Sequence, residues 1–479
     1  MYDVAIIGCG VIGAATAYQL AGRGVSVLML EAENDVAMGT TKANSAILHA
    51  GYDPEPGTQM AYLNVRGSAM AKEICQLLDV PYQQIGSLVL AFSEEEMDHV
   101  RLLCQRGVAN GVPGVRVLSK EETLAMEPNL SDAVCGALLA PSAAVVSPWE
   151  YALAMAENAV VNGAQLKLET RVTGLEKQAD SWLIHTNQGD EQARFVVNAA
   201  GVQAGHIHEM AAPKTFTTTP CRGEYYLLDK AEGSRVNHVI FQCPTKVGKG
   251  ILVSPTVHGN LIVGPNAENI PDEGNTANTA AGLAFVGEMA RKSVPEVNLR
   301  ASIRNFAGIR ANTDQKDFVI DWAAPGLLDL GGMKSPGLSA AAAVGEKAAQ
   351  MLKEKGLALG EDERKITTRK KFRFKECTAQ EKARLIEKDP AYGKIICRCE
   401  TITEGEILAA CRTPIKPRSI DAVKRRTNAG MGRCQGGFCG PRVMEILVKE
   451  LGMDPLAVPQ DQAGATVLVS KTKQGGSAQ

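Results

Sequence analysis

The chain opens on a short apolar run, Tyr2-Asp-Val-Ala-Ile-Ile7, closed by Gly8. Aliphatic and β-branched residues bounded by a glycine predict a buried strand. From Ala14 to Ala21 the apolar positions take on helical spacing, and Val25–Glu31 forms a second apolar run. Strand, turn, helix and strand in this order predict a parallel pair, the start of a doubly wound α/β sheet. Leu166–Ala200 reads differently, as alternating strands around Asn187-Gln-Gly189. This predicts an antiparallel meander that returns to the sheet at Phe195-Val-Val-Asn-Ala-Ala-Gly201. Between about 215 and 310 strand-like segments recur, among them Gly250–Val253 and Asn260–Val263, and predict a mixed sheet over a ligand. From Gly337 to Met351 a run of small residues predicts a helix whose start aims back at the first domain. The pattern then breaks. Lys353–Lys375 is dense in charge, with Glu361-Asp-Glu-Arg-Lys365 and Arg369-Lys-Lys371, and reads as a solvated linker at a domain boundary. Ser470–Gln479 is polar and expected to fray.

Composition narrows the class. At 479 residues, 45% of them hydrophobic, the chain is too long for one core, and a prior of ~150 residues per domain suggests about three. Its 51 Lys+Arg against 53 Asp+Glu leave a formal charge of −2, which argues against nucleic acid as the main partner. No apolar run approaches the ~18 residues of a membrane span, so any membrane association would run through a partner. Asp3 and the early glycines do not suit a signal peptide. Twelve cysteines are too sparse for a disulfide scaffold. A reducing cytoplasm is the expected location, where clustered cysteines are read as ligands.

Candidate chemistry begins at Gly8-Cys-Gly10-Val-Ile-Gly13, between the first strand and the helix. Gly8 permits the tight turn, Gly10 lets the backbone approach a pyrophosphate, and Gly13 allows close helix–strand packing. The helix N-terminus adds N–H donors and a positive dipole. Glu31 closes the second strand, about twenty residues on, where a carboxylate can bind ribose hydroxyls. Alone the glycine motif says little; with strand, helix and acidic terminus it specifies a dinucleotide. Glu31 disfavours a 2′-phosphate and so NADP. FAD and NAD stay open at this point.

The order of segments resembles the FAD-dependent oxidoreductases of the D-amino-acid-oxidase/glycerol-3-phosphate-dehydrogenase superfamily. The resemblance runs over about residues 1–350, on the N-terminal motif, Asn198-Ala-Ala-Gly201, and Gly331-Gly-Met-Lys-Ser-Pro-Gly337. It implies FAD contacts at Gly8, Gly10, Val11, Ile12, Gly13 and Glu31, with Val172 backing the adenine and further contacts at Ala200 and Gly201. Thr40, Thr41, Asn44 and Ser45 would line the flavin loop. Gly332, Pro336, Gly337 and Leu338 would bring a helix N-terminus to the flavin O2/N1 edge.

Thr40-Thr-Lys-Ala-Asn-Ser-Ala-Ile-Leu-His49-Ala-Gly51 resembles the flavin-contacting loop of this family, with His49 beside flavin N5. Imidazole suits proton acceptance near neutral pH while the substrate carbon gives up a hydride. His99, His185, His206 and His208, with His238, read as surface or satisfied core residues. Gly248-Lys249-Gly250 and Ala307-Gly-Ile-Arg310 match the glycerol-3-phosphate oxidase/dehydrogenase branch. Lys249, Arg310 and Ser335 would then hold the anionic end of a substrate, and His258, in Thr256-Val-His-Gly-Asn-Leu-Ile-Val-Gly-Pro265, joins them as a substrate-binding candidate.

Most cysteines are scattered, but Cys397-Arg-Cys399 and Cys434-Gln-Gly-Gly-Phe-Cys439 form two close pairs. Four thiolates so arranged suit a tetrahedral zinc or a [2Fe–2S] cluster. The wider strings, Ile396–Glu406 and Val423–Cys439, resemble a bacterioferritin-associated-ferredoxin-like module, over about 392–448. That resemblance implies a [2Fe–2S] cluster on Cys397, Cys399, Cys434 and Cys439. The second pair departs from the C-x2-C of the stand-alone ferredoxin; flavin-fused versions carry the longer spacing. Lys424-Arg-Arg426 and Arg433 flank the pairs, either as a solvated helix face or as charges that raise the potential or dock a partner.

Together these readings imply an α/β chain. It has a Rossmann-like, glutathione-reductase-type FAD-binding domain (1–80, 145–212, 310–355) and an interleaved mixed α+β substrate domain (81–144, 213–309). A linker (356–391), a small helical [2Fe–2S] domain (392–448) and a tail (449–479) follow. The implied activity is oxidation of sn-glycerol 3-phosphate to dihydroxyacetone phosphate, with electrons leaving through the cluster to a redox partner. The alternatives are an L-2-hydroxyglutarate dehydrogenase or oxidase, an amino-acid oxidation, and a non-catalytic electron-transfer subunit.

Overall fold

The computed structural model describes residues 1–244 and 250–471. They form two compact units, residues 1–31 with 36–369, and residues 32–35 with the chain from 370.

In the first unit, Tyr2–Ile7 pairs in parallel with Val27–Leu30 on one side and with Glu191–Asn198 on the other. The crossover helix is Val11–Leu20, almost wholly buried. Val172–Lys177, Trp182–Thr186 and Glu191–Asn198 form the antiparallel meander, and Leu327–Gly331 joins its last strand in parallel. Ala5, Leu28 and Val196 are fully buried, as expected of a sheet covered on both faces.

The long helix Gly337–Glu354 lies against both Val11–Leu20 and Gln59–Leu77. Glycine makes these crossings close: a Cβ at Gly345 would stand 2.7 Å from the Ala15 carbonyl, and one at Gly67 2.3 Å from the Ser339 carbonyl. Behind the sheet, Asn198 Nδ2 donates to Asp329 Oδ1 at 2.8 Å and His208 Nδ1 meets Asp329 Oδ2 at 2.6 Å. This buried contact ties two strand ends to a helix just where the Ala199–Gly201 and Gly332–Gly337 segments leave the sheet.

A second, mixed sheet contains Cys221–Leu228, Leu261–Gly264, Leu252–Pro255, Val239–Gln242 and Ser87–Ala91 side by side, with Ser302–Arg310 paired to Cys221–Leu228. One face carries Leu88, Ile240, Val253 and Val263 against the helix Ala280–Ser293. The other carries Val89, Tyr225, Phe241 and Ile262 towards Ile47 and Tyr52. The strand period of two thus divides the sheet into a closed structural face and a face turned to the 40–52 loop.

The charged stretch after the long helix is not solvated throughout. The Arg364 guanidinium lies 4.3 Å from the Tyr18 ring centre, and Arg369 Nε pairs with Glu157 Oε2 at 2.9 Å. Arginine stems and planar heads cover apolar surface while their charge stays paired, so residues to 369 pack as part of the first unit.

The second unit has a short antiparallel pair, Ile395–Cys397 with Ile402–Thr403. Its helices include Glu404–Cys411, Ile420–Thr427 and Gly440–Leu451. Their core is Ile396, Ile407, Val423, Val443, Leu447 and Val458, so residues beyond 448 belong to the packed unit. Lys424, Arg425 and Arg426 are no solvated face: all three are buried. Arg425 and Arg426 grip Asp35, with Nη2 contacts of 3.0 and 2.8 Å, and Arg425 also reaches Asp461 at 2.7 Å. Burial pushes the Asp35 carboxyl up, but the two guanidiniums outweigh it and hold the group below its ordinary value.

Candidate functional site

The glycine turn is built as its residue types require. Gly8 takes φ +93°, and a Cβ there would stand 2.7 Å from the Ala199 carbonyl oxygen. A Cβ on Gly13 would overlap the Gly8 carbonyl at 1.9 Å. Gly10 is different: its added Cβ would meet only Thr41 Oγ1, at 3.3 Å. Gly10 is thus the least crowded of the three, with a side-chain hydroxyl rather than backbone beside it, which fits a pyrophosphate brought against the backbone.

Two of the polar groups at this turn also hold the protein to itself. Glu31 Oε2 accepts from the Cys9 backbone N–H at 2.7 Å, which fixes the carboxylate at the mouth of the turn. Thr41 Oγ1 accepts from the Val11 N–H at 3.0 Å, taking one free donor of the helix N-terminus. Gly201, at φ +63°, also faces open space, while Ala200 is half-buried beside it. Val172 is buried at the start of its strand.

The 40–49 loop is held from three directions. Thr40 Oγ1 donates to the Ile309 carbonyl at 2.6 Å. A Cβ on Gly308 would stand 1.8 Å from the Ala43 carbonyl oxygen, so the strand Ser302–Arg310 and the loop touch backbone to backbone. Asn44 turns inward, its Nδ2 donating to the Thr40 and Thr41 carbonyls at 3.0 and 2.8 Å and its Oδ1 accepting from the Ala46 N–H at 2.7 Å. Asn44 therefore shapes the loop. Ser45 Oγ reaches the Tyr225 hydroxyl at 3.2 Å.

His49 is anchored through its backbone. Its N–H donates to Ser339 Oγ at 2.7 Å, and its carbonyl accepts from Asn64 Nδ2 and Ser68 Oγ at 2.9 and 2.7 Å. The ring stacks on Phe241 with centroids 5.6 Å apart, and Nε2 stands 3.3 Å from Ser335 Oγ. Pro336 lines the same small pocket as His49. The loop histidine and the Gly332–Leu338 segment, far apart in sequence, meet here.

Arg310 occupies the last position of its strand, opposite Cys221. Its Nη2 donates to the Asn266 carbonyl at 3.1 Å and its Nη1 contacts Cys221 Sγ at 3.5 Å. The guanidinium lies over Gly223, where a Cβ would approach Nη2 to 2.7 Å. Tyr225 follows on the same face. Burial pushes its phenol up despite the opposing effect of Arg310 and Ser45, so the hydroxyl stays protonated and able to donate. Arg310, Tyr225 and Phe241 belong to the sheet face turned to the loop, and Ser45 and His49 meet it from the loop. His258, in the turn after Leu252–Pro255, stacks on Trp149 with centroids 6.1 Å apart. Lys249 lies outside the described residues. His185, His206, His208 and His238 each meet a carboxylate, His238 that of Glu127 at 2.6 Å, whereas the Nε2 of His99 is buried without a hydrogen-bond partner among the described residues.

Sequence reasoning missed Tyr225, Phe241, Ser339 and Gly308. The aromatics sit in strands where aromatic residues ordinarily serve the core, and nothing local sets them apart. Gly308 lay inside the quoted Ala-Gly-Ile-Arg string, but its role depends on a loop about 260 residues away.

In the second unit the four cysteines stand as two pairs. Cys399 and Cys434 are exposed with sulfurs 3.8 Å apart; Cys397 and Cys439 are buried hydrogen-bond partners. The bond from Cys439, with help from the Gly430 N–H at 3.5 Å, lowers the Cys397 thiol, while the same contact pushes Cys439 up. The Phe438 backbone N–H lowers Cys434 as well. Thiolate is the ligating form. Among the described residues no three His, Cys, Asp or Glu side chains gather around a single metal ion. Two thiol pairs fit a two-iron cluster, in which each iron takes two protein ligands. Gly432 is required here, since a Cβ would stand 2.2 Å from Cys399 Cβ.

Comparison with known proteins agrees with both units. Residues 3–351 match the FAD dependent oxidoreductase family, and residues 395–449 match the BFD-like [2Fe-2S] binding domain. A glycerol 3-phosphate dehydrogenase of Caloramator mitchellensis is 47% identical over 476 residues, 99% of each chain. The dithionite-reduced L-alpha-glycerophosphate oxidase of Mycoplasma pneumoniae, solved with FAD bound, superposes with a TM-score of 0.70 at 33% identity, covering 74% of this chain and 94% of that one. An L-2-hydroxyglutarate dehydrogenase of Escherichia coli is 33% identical over 56% of this chain and 64% of its own. With a glycine turn, the 40–49 loop and a helix start assembled in one fold, and a family match over most of its length, this chain belongs to the FAD dependent oxidoreductase family and carries a C-terminal BFD-like [2Fe–2S] domain.

Proposed function

We propose that this chain is a glycerol-3-phosphate dehydrogenase, oxidising sn-glycerol 3-phosphate to dihydroxyacetone phosphate and passing the electrons on through its cluster. The observation that carries the reading is one of coverage. The dehydrogenase relative matches 99% of this chain, while the Mycoplasma pneumoniae glycerol 3-phosphate oxidase matches 73% of it with 94% of its own length. The oxidase-like part and the [2Fe–2S] part are thus joined here, and an enzyme that hands electrons directly to oxygen needs no second one-electron centre.

FAD, held at Gly8–Gly13, Glu31, the 40–45 loop and the Gly332–Leu338 segment, supplies the acceptor for the hydride leaving substrate C2. The chain's own residues do the rest. His49 Nε2 takes the proton of the C2 hydroxyl as the C–H bond breaks. Its backbone anchors, the Phe241 ring and Ser335 Oγ fix the imidazole before substrate arrives, so the reacting geometry costs little further ordering. Arg310, held by the Asn266 carbonyl, Cys221 Sγ and the Tyr225 hydroxyl, offers its positive charge to the phosphate in this reading. The resemblance assigns His258 to the same anion, and Lys249, outside the described residues, with it. The N-terminus of the Gly337–Glu354 helix supplies positive dipole at the flavin edge. Cys397, Cys399, Cys434 and Cys439 hold the cluster.

The test is an anaerobic absorbance titration of purified enzyme with sn-glycerol 3-phosphate and, separately, L-2-hydroxyglutarate. Bleaching of the flavin band by the first compound alone is expected. Bleaching by the second alone moves the substrate to a dicarboxylic hydroxy acid, and bleaching by neither overturns the reading.

A further inference from the structure

We propose that the cysteine-bearing edge of the second unit is the docking surface for a small acidic protein that carries one electron. The inference rests on the preceding reading for the source of the electrons, and on the second unit alone for the surface.

Cys399 and Cys434 are exposed while Cys397 and Cys439 are buried, so the four-thiol site opens to solvent on one side. The segments that form this edge, 397–399 and 430–442, carry Arg398, Arg433 and Arg442, all exposed, and no Asp or Glu. The nearest acid in sequence, Glu400, is only 4% exposed. Phe438, immediately before the buried Cys439, is 54% exposed, with the Arg398 guanidinium carbon 4.7 Å from its ring centre. A stacked guanidinium keeps its in-plane donors for a carboxylate while the ring offers apolar contact. Lys424, Arg425 and Arg426, by contrast, are buried and take no part in this surface.

An edge with an aromatic centre and an excess of arginine around it, Glu445 one turn beyond Arg442 being its exposed acid, fits a partner of the opposite sign, and such complementarity speeds encounter more than it tightens the complex. Three arginines are fewer than the four to eight basic residues that hold a protein to an anionic membrane, which favours a protein partner. The electron count fits a one-electron carrier taken twice. Oxidising one secondary alcohol to a ketone breaks its C–H and O–H bonds and releases two electrons and two protons. Two carriers each accept one electron, and the protons pass to solvent.

The experiment uses holoenzyme reduced with dithionite and freed of excess reductant, so it does not depend on the substrate. Electron transfer is followed by anaerobic stopped flow to flavodoxin as the acidic probe, to cytochrome c as the basic one, and to an uncharged naphthoquinone. Binding of flavodoxin is measured by calorimetry. The expected result is a flavodoxin rate constant that falls about tenfold or more in the triple variant R398E/R433E/R442E and on raising salt from 20 to 300 mM, with the naphthoquinone rate unchanged. Cluster absorbance verifies the variant; should it lose the cluster, the single variants R398Q and R442Q and the salt series on unaltered enzyme carry the same comparison. Equal flavodoxin binding and rates in variant and parent overturn the proposal. So does faster, salt-sensitive transfer to cytochrome c, or arginine-dependent binding to phosphatidylserine vesicles with flavodoxin unaffected. A failure of glycerol 3-phosphate to bleach the flavin counts against the substrate reading and leaves this result standing.

Discussion

His49 is held by its backbone and stacked on Phe241, so its side chain can be changed with little disturbance to the loop. His49→Gln should lower kcat by about 10²–10⁴-fold while FAD remains bound, as read from the flavin spectrum of the purified variant. A loss of flavin along with activity would reassign His49 to cofactor binding. Arg310 should behave differently. It is held by its surroundings and assigned to ground-state recognition, so Arg310→Met should raise KM for glycerol 3-phosphate about thirtyfold, near the ~2 kcal/mol of a charge-assisted hydrogen bond. A fall in kcat at unchanged KM would place Arg310 in the chemistry instead.

Among the elements, the strand Ser302–Arg310 does two things at once. Its last residue presents the guanidinium, and Gly308 lets the 40–49 loop lie on the strand backbone. Gly308→Ala would put a methyl group 1.8 Å from the Ala43 carbonyl oxygen, and since both partners are backbone no side chain can swing aside. The loop must move. We expect a stability loss of about 1–3 kcal/mol and release of FAD on gel filtration, measured by thermal unfolding and by the flavin-to-protein absorbance ratio. Retention of full flavin and unaltered melting would show that the loop does not depend on this contact. Gly345 and Gly67 let the long helix approach its two neighbours by the same means, and the helix start is thereby held behind His49, through Ser339.

For the whole molecule, the second unit contains a piece of the N-terminal chain. Residues 32–35 belong to it, and Asp35 is the shared anion of Arg425 and Arg426. Asp35→Asn leaves two buried guanidiniums without their common carboxylate and should destabilise this unit by about 3–5 kcal/mol. The pH dependence has a definite sign. The folded Asp35 carboxyl lies below its unfolded value of about 3.9, so its stabilisation is complete above that pH and is lost as pH falls through the folded value. Hydrogen exchange in the Ile420–Thr427 helix should therefore quicken in acid in the parent protein, and be fast and flatter with pH in Asp35→Asn. Identical exchange in the two proteins would remove Asp35 from the stability of this unit.

What the sequence by itself determined is local or nearly so. The first strand is Tyr2–Ile7 as its apolar run predicts, and the glycine turn follows at once, because backbone sterics and strand burial act within a few residues. The meander of Val172–Asn198 and the long helix from Gly337 follow equally from their periodicity. The spacing of the paired cysteines marked them as candidate ligands, of zinc or of a cluster alike. Only the tertiary structure decided the rest. It brought Phe241 and Ser335 to His49, placed Tyr225 beside Arg310, and laid the 40–49 loop on Gly308. It also turned Lys424–Arg426, charged in sequence and expected at a surface, into a buried and paired group. These contacts join residues far apart along the chain, from 85 positions for Tyr225 and Arg310 to 391 for Asp35 and Arg426, and propensity and pattern carry no information about that distance. Burial of a charge or the closeness of two backbones is a property of the packed whole, settled by which partner the fold brings near.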